Sequence, residues 1–216
     1  VDGVLPFHET IEDMADAYLR AIEAVDSAGP YRLAGYSGGG VVAFEIAQRI
    51  WRSGRQVELL AMFDTIASHA ARTSLSLREK LQLSLHMPPR RLAKFAVERC
   101  KQHLQKQVAS SMARGMDPIH RIAERAATAM IRARSRYDAE PYPGDLLLFR
   151  ATNATMPYEH AGRALGWDRW VRGRIDVVPV RAWHETVLAV PAVDDLARSL
   201  AERLTDLDDR RANAVG

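Results

Sequence analysis

Ser37 stands in the run Tyr31-Arg32-Leu33-Ala34-Gly35-Tyr36-Ser37-Gly38-Gly39-Gly40, where a short apolar stretch meets glycines and a helical pattern follows. Strand, sharp turn and helix, with glycine two positions before and two after a serine, is the spacing of a nucleophile elbow. The chemistry accounts for the spacing. A hydroxyl that attacks an acyl carbon must protrude from a strained turn, so Gly35 and Gly39 are expected to be positions with no room for a side chain. The backbone N–H of Gly38, at the start of the following helix, then points to where an oxyanion forms. The motif alone also fits a plain glycine-rich turn, and the rest of the chain must supply the partners.

A serine nucleophile needs a base within hydrogen-bond reach, and the base needs an orienting carboxylate. In a parallel sheet these groups gather at the carboxyl ends of the strands. Asp64 is the first residue after the apolar run Val57-Glu58-Leu59-Leu60-Ala61-Met62-Phe63, so it falls at that edge; its other reading is an N-cap or turn aspartate. A later strand end could also carry the acid, but there the chain reads Ala151-Thr152-Asn153-Ala154, without a carboxylate. Of the seven histidines, His69, His86, His103 and His120 lie in a long helical stretch and His8 precedes the first helix. His184 comes just beyond the last strand, in Arg181-Ala182-Trp183-His184-Glu185, ahead of the closing helix. His160, in the loop after Phe149, is the alternative base. The order Ser37, Asp64, His184 is the nucleophile, acid, base order of α/β-hydrolases.

The elements that must position these residues follow from hydrophobic periodicity. Thr10, with Asp13 three positions on, opens a helix whose inward face is expected to carry Ile11, Met14, Ala15, Tyr18, Leu19, Ile22 and Val25. After the elbow, Val42, Ala43, Ile46, Ala47 and Ile50 form the buried face of a second helix, ended by Ser53-Gly54. The continuous apolar runs at 57–63, 145–150 and 175–180 read as buried parallel strands, with Pro179 marking an edge strand. Val193 to Leu207 is a last amphipathic helix, followed by a polar tail from Asp208. Strands alternating with helices predict an α/β fold on a parallel sheet. Between Thr65 and Tyr142 there are only helical patterns, too long for a simple crossover. That stretch reads as a helical lid inserted into a single domain spanning 1–216.

Composition narrows the class. The chain has 216 residues, 47% apolar and 26% charged, which suits one globular core. A single cysteine, Cys100, excludes an internal disulfide framework and a cysteine-based metal cluster, and fits a reducing, cytoplasmic setting. No apolar run reaches the length of about 18–20 residues that a membrane span needs. The start, Val1-Asp2-Gly3, carries no secretory signal and reads as a point inside a longer chain. The net charge of +3 hides a basic excess within 65–142, including Arg90, Arg91, Lys94, Arg132, Arg134 and Arg136. Solvated helix faces and a docking surface for an acidic partner are both open readings. Nucleic acid is not expected, since no recognition motif accompanies these cations.

The chain resembles the thioesterase domains that end non-ribosomal peptide synthetases and polyketide synthases. The resemblance is carried by Thr10-Ile11-Glu12-Asp13-Met14-Ala15, by Gly29-Pro30-Tyr31-Arg32-Leu33 leading into Gly35-Tyr36-Ser37-Gly38-Gly39-Gly40, and by Val42-Ala43-Phe44-Glu45-Ile46-Ala47. Asp64, Pro141-Tyr142-Pro143-Gly144-Asp145, Leu148-Phe149-Arg150-Ala151, Gly166-Trp167, and His184 with Val187-Leu188 complete it. Where this family usually has a Gly-Asp pair before the histidine, this chain has Ala182-Trp183. The resemblance implies an α/β-hydrolase fold lacking the family's N-terminal strands and the loop that supplies a second oxyanion N–H. It also implies release of a peptide or polyketide acyl chain, by hydrolysis or cyclisation, through an acyl-Ser37 intermediate. The acyl chain would arrive on the phosphopantetheine of a carrier domain fed by upstream synthetase modules, with no cofactor bound by the chain itself. Leu83, Leu85, Phe95 and Val97 of the lid could line the acyl pocket. A free-standing hydrolase or editing thioesterase of the same fold, and a non-catalytic remnant binding an acidic partner, are the alternatives.

Overall fold

The Thr10 hydroxyl accepts the Asp13 N–H at 3.0 Å and starts α1, Ile11–Val25. Such a cap satisfies one of the N–H groups that a helix leaves unpaired at its first turn. The computed structural model describes residues 7–68, 118–153 and 161–215. Expectations for His69, His86, His103, His160, the four apolar lid residues and most of the basic stretch lie outside these residues, as does the side chain of His120.

After α1 come β1 (Tyr31–Tyr36), α2 (Gly38–Arg52), β2 (Val57–Phe63), α3 (Pro118–Arg136), β3 (Leu146–Ala151), β4 (Ile175–Val180) and α4 (Ala192–Val215). The strands pair in the order β1-β2-β3-β4, all parallel, with Phe63 beside Tyr36 and Phe149, and Phe149 beside Val178. Their carboxyl ends therefore share one edge, the condition for Ser37, Asp64 and residues after β4 to meet. The chain divides into two compact units, 1–72 with 130–216, and 73–129. The second falls between β2 and β3, within the stretch expected as an insertion.

Two apolar layers flank the sheet. On one face Ile11, Met14 and Ala15 of α1 and the buried apolar residues of α2 pack with Leu33, Leu60, Met62, Leu146, Leu148 and Trp167. On the other, Leu147, Phe149 and Val180 pack with Val187 and with Leu196 of α4. At about 25 cal/mol per Å² of apolar surface removed from water, such layers supply the main favourable term in folding. The second helix is buried beyond its expected face: Phe44, Glu45 and Gln48 are also inaccessible. Its polar positions are satisfied from the segment after α3, where the Tyr137 hydroxyl donates to Glu45 Oε2 at 2.9 Å and Gln48 Nε2 donates to the Glu140 carbonyl.

Two expectations about faces and ends are corrected. Tyr18 and Val25 are not part of the packed face of α1; they are 59% and 91% exposed. Both line an open groove of about 910 Å³ beside β1, shared with Ile22, Leu33, Val42 and Ile46, which no described element covers. The predicted polar tail from Asp208 is instead helix, since α4 continues to Val215. No proline or glycine interrupts it before Gly216, and Asp208 is held in an ion pair with Arg32 of β1. Among the described residues no helix is long and apolar enough to cross a membrane.

Candidate active site

Ser37 joins β1 to α2 at φ 53° and ψ −121°. Such a conformation costs a non-glycine residue on the order of 1–3 kcal/mol and persists only where its surroundings enforce it. Here the Ser37 N–H donates to the Phe63 carbonyl at 3.1 Å, and the Ser37 carbonyl accepts from the Gly40 N–H at 3.2 Å. The glycines permit the crossing of strand and helix. A Cβ on Gly35 would lie 2.5 Å from the Gly39 carbonyl oxygen and the Gly40 Cα, and one on Gly40 would lie 2.1 Å from Thr65 Oγ1. A Cβ on Gly39 would meet no described atom within 4 Å, so the steric demand expected at Gly39 falls on Gly40 instead. The reason is direction: in the first turn of α2, position 40 faces the strand end at Thr65 and position 39 faces away. Gly38 lies against Met130, whose Cγ a Cβ there would approach to 2.6 Å.

Asp64 is 2% exposed and adopts φ 46° immediately after β2. Its N–H donates to the Phe149 carbonyl at 2.7 Å, and its Oδ1 accepts from the Ala151 N–H at 2.9 Å. Backbone of β3 thereby fixes the carboxylate and aims Oδ2 at His184. The loop beyond Asp64 is pinned in turn: the indole N–H of Trp167 donates to the Thr65 carbonyl at 2.7 Å and the Ala67 N–H donates to the Leu165 carbonyl at 2.9 Å.

His184 opens a short 3-10 turn, His184–Thr186, after β4. Its Nδ1 lies 2.8 Å from Asp64 Oδ2 and its Nε2 lies 3.0 Å from Ser37 Oγ. A carboxylate can only accept, so Nδ1 carries the proton and Nε2 presents its lone pair to the serine hydroxyl. The turn has its own ties. Thr186 Oγ1 accepts from the Trp183 N–H at 3.2 Å, and the Asn153 N–H donates to the Ala182 carbonyl at 3.0 Å. Ala182 is buried and Trp183 is half-exposed, so the departure from Gly-Asp at this place leaves a hydrogen-bonded turn.

The geometry thus brings together Ser37, Asp64 and His184, with the Gly38 amide in the first turn of α2. Missed in the sequence were Tyr36, which contacts His184, the Ala151 amide on Asp64, and the role of Trp167. Backbone donors leave no trace in residue type. Tyr36 occupies a position the serine motif leaves unspecified. Among the described residues no group of three or more His, Cys, Asp or Glu is arranged to hold a metal ion.

A family model of the thioesterase domain matches residues 3–204. The chain belongs to the thioesterase domain family. Relatives of this thioesterase domain include the non-reducing polyketide synthase stmB of Aspergillus ustus, 26% identical over 92% of the chain and 11% of that protein. Another is atromentin synthetase invA2 of Paxillus involutus, 42% identical over 31% of the chain and 7% of that protein. The chain spans about a tenth or less of the length of these curated relatives. Among solved structures, the NocB thioesterase domain in covalent complex with a fluorophosphonate nocardicin G analog superposes with a TM-score of 0.61 at 24% identity, over 94% of this chain and 77% of that one. RedJ thioesterase of the Streptomyces coelicolor prodiginine pathway gives 0.57 at 21% identity, over 89% and 68%. The fold is that of α/β-hydrolase thioesterase domains.

Proposed function

We propose that this domain releases an acyl chain from a carrier-bound thioester through an acyl-Ser37 intermediate. The observation that carries the reading is the continuous hydrogen-bonded line from Asp64 Oδ2 through both His184 nitrogens to Ser37 Oγ. His184 Nε2 accepts the Ser37 proton as Oγ attacks the thioester carbonyl carbon. The imidazolium that forms is stabilised by the Asp64 carboxylate. Gly38 N–H donates to the oxyanion; one such donor is worth on the order of 10²–10³ in rate. Collapse breaks the C–S bond, the departing thiol takes the proton from His184, and the acyl ester remains on Ser37. Water, or a nucleophile within the acyl chain, then gives its proton to His184 and attacks the ester; the acyl carbon–Oγ bond breaks, His184 returns the proton to Ser37 Oγ, and a free acid or a ring leaves.

The similarity to polyketide synthases and atromentin synthetases supports a phosphopantetheine thioester on a carrier domain as the substrate form. The stretch 65–142 is read as an insertion within one thioesterase domain, and its cations as a surface suited to an acidic carrier. Incubation with an acyl phosphopantetheine thioester, followed by peptide mass mapping, tests the reading. An acyl mass on the Ser37 peptide that chases into product supports it; turnover with no acyl-Ser37, even under rapid quench, contradicts it.

A further inference from the structure

Strand geometry separates the two residues before the nucleophile. Side chains alternate along β1, so Gly35 faces α2 while Tyr36 faces the opposite layer, where, like Phe63, it packs against the cluster containing Val187. There it makes two contacts with one residue. The Tyr36 hydroxyl donates to the His184 carbonyl at 2.8 Å, and the phenol ring stacks on the imidazole with centroids 5.1 Å apart and planes inclined by 24°. Burial, together with the negative charges of Glu185 and Asp64, raises the Tyr36 pKa, so the hydroxyl keeps its proton and remains a donor.

We propose that Tyr36 is a positioning residue for the base: it ties the backbone and ring of His184 to the strand that carries Ser37. His184 lies in a short turn, and the hydrogen bonds at its two ring nitrogens still allow the ring plane to swing about the line joining them. The stacked phenol limits the swing on one face, and the hydroxyl–carbonyl bond fixes the height of the turn relative to β1. Because Tyr36 and Ser37 are adjacent, any motion of the elbow carries this restraint with it. The Nε2–Oγ distance is thereby set by a rigid dipeptide rather than by the loop after β4. A reacting pair is sensitive to such placement, since a displacement of about 1 Å can cost on the order of a hundredfold in rate.

This inference rests on the proposed serine chemistry, so its test uses one readout that depends on that chemistry and one that does not. Tyr36→Phe keeps the ring and removes the hydroxyl; Tyr36→Leu removes both. The rate of Ser37 phosphonylation by a fluorophosphonate is expected to fall about tenfold in Tyr36→Phe and up to about a hundredfold in Tyr36→Leu, with melting temperature nearly unchanged in the former. Independently, the proton NMR signal of the His184 Nδ1–H, protected by its bond to Asp64, is expected to broaden or vanish in Tyr36→Phe. Absence of labelling in the wild type would count against the serine reading, and the NMR comparison would still decide the role of Tyr36. Wild-type labelling and an unchanged Nδ1–H signal in Tyr36→Phe overturn the proposal. If Tyr36→Leu does not fold, the Phe variant decides alone.

Discussion

Replacing Gly39 by alanine is expected to leave the domain at least as stable as it was, while the same change at Gly35 or Gly40 is expected to damage it. The contrast follows from where each added Cβ would go. At position 35 it would sit 2.5 Å from two backbone atoms, the Gly39 oxygen and the Gly40 Cα, neither of which can rotate away. Relief requires moving the first turn of α2 by roughly 1 Å, and overpacking of this kind costs about 1–3 kcal/mol or more. For a chain of this size each kcal/mol shifts the melting temperature by about 2–4 °C, so Gly35→Ala should melt roughly 2–12 °C lower. At position 40 the Cβ would strike the buried Thr65 side chain at 2.1 Å, and Thr65→Ala should recover part of that loss while leaving Gly35→Ala unrelieved. At position 39 no described atom lies within reach, and alanine in place of a helical glycine gains up to about 1 kcal/mol. Thermal melts of the three variants and the Gly40–Thr65 double variant measure this directly. A Gly39→Ala protein as destabilised as Gly35→Ala would refute the packing argument for the elbow.

Asp64→Asn leaves one acceptor oxygen where both the Ala151 N–H and the His184 Nδ1–H now find one. Whichever way the amide turns, an N–H faces an N–H or the imidazole tautomer is lost; thioester turnover should fall by about 10⁴-fold, as tautomer loss does in serine triads. Trp167→Phe removes the donor to the buried Thr65 carbonyl and should lower stability by about 1–3 kcal/mol in denaturant titration. Burial, with the negative charge of Glu45, raises the Tyr137 pKa well above its usual value, and burial pushes that of Tyr142 up to about 12. Folding raises both, so their contribution is fully present below the unfolded value of about 10 and is lost as pH climbs through the folded values. Stability should therefore fall between pH 10 and 12, and Tyr137→Phe should reduce that slope by up to about 1.4 kcal/mol per pH unit.

Much of the frame could be read from residue order because its signals are local. Continuous apolar runs bounded by helices mark β2, β3 and β4, and Thr10 with Asp13 marks the start of α1. Asp64 and His184 could be chosen because a parallel sheet puts every strand end on one edge. What could not be read depends on direction and on distant partners. Periodicity places Tyr18 and Val25 on the apolar side of α1 but does not say how far the neighbouring layer extends. The polar end of α4 resembles a tail until Arg32, far away in the chain, is seen to pair with Asp208. The serine motif specifies small residues by spacing, whereas the space is denied along Cβ vectors, which places the demand at Gly35 and Gly40. Tyr36 was illegible for the same reason: its partner is a backbone carbonyl after the last strand.

Covalent labelling with a fluorophosphonate, followed by intact-mass and peptide analysis, tests the reading of Ser37 as a nucleophile activated by His184. One adduct is expected, on Ser37, absent in Ser37→Ala and formed far more slowly in His184→Ala. Equal labelling of Ser37→Ala and the wild-type chain would contradict it.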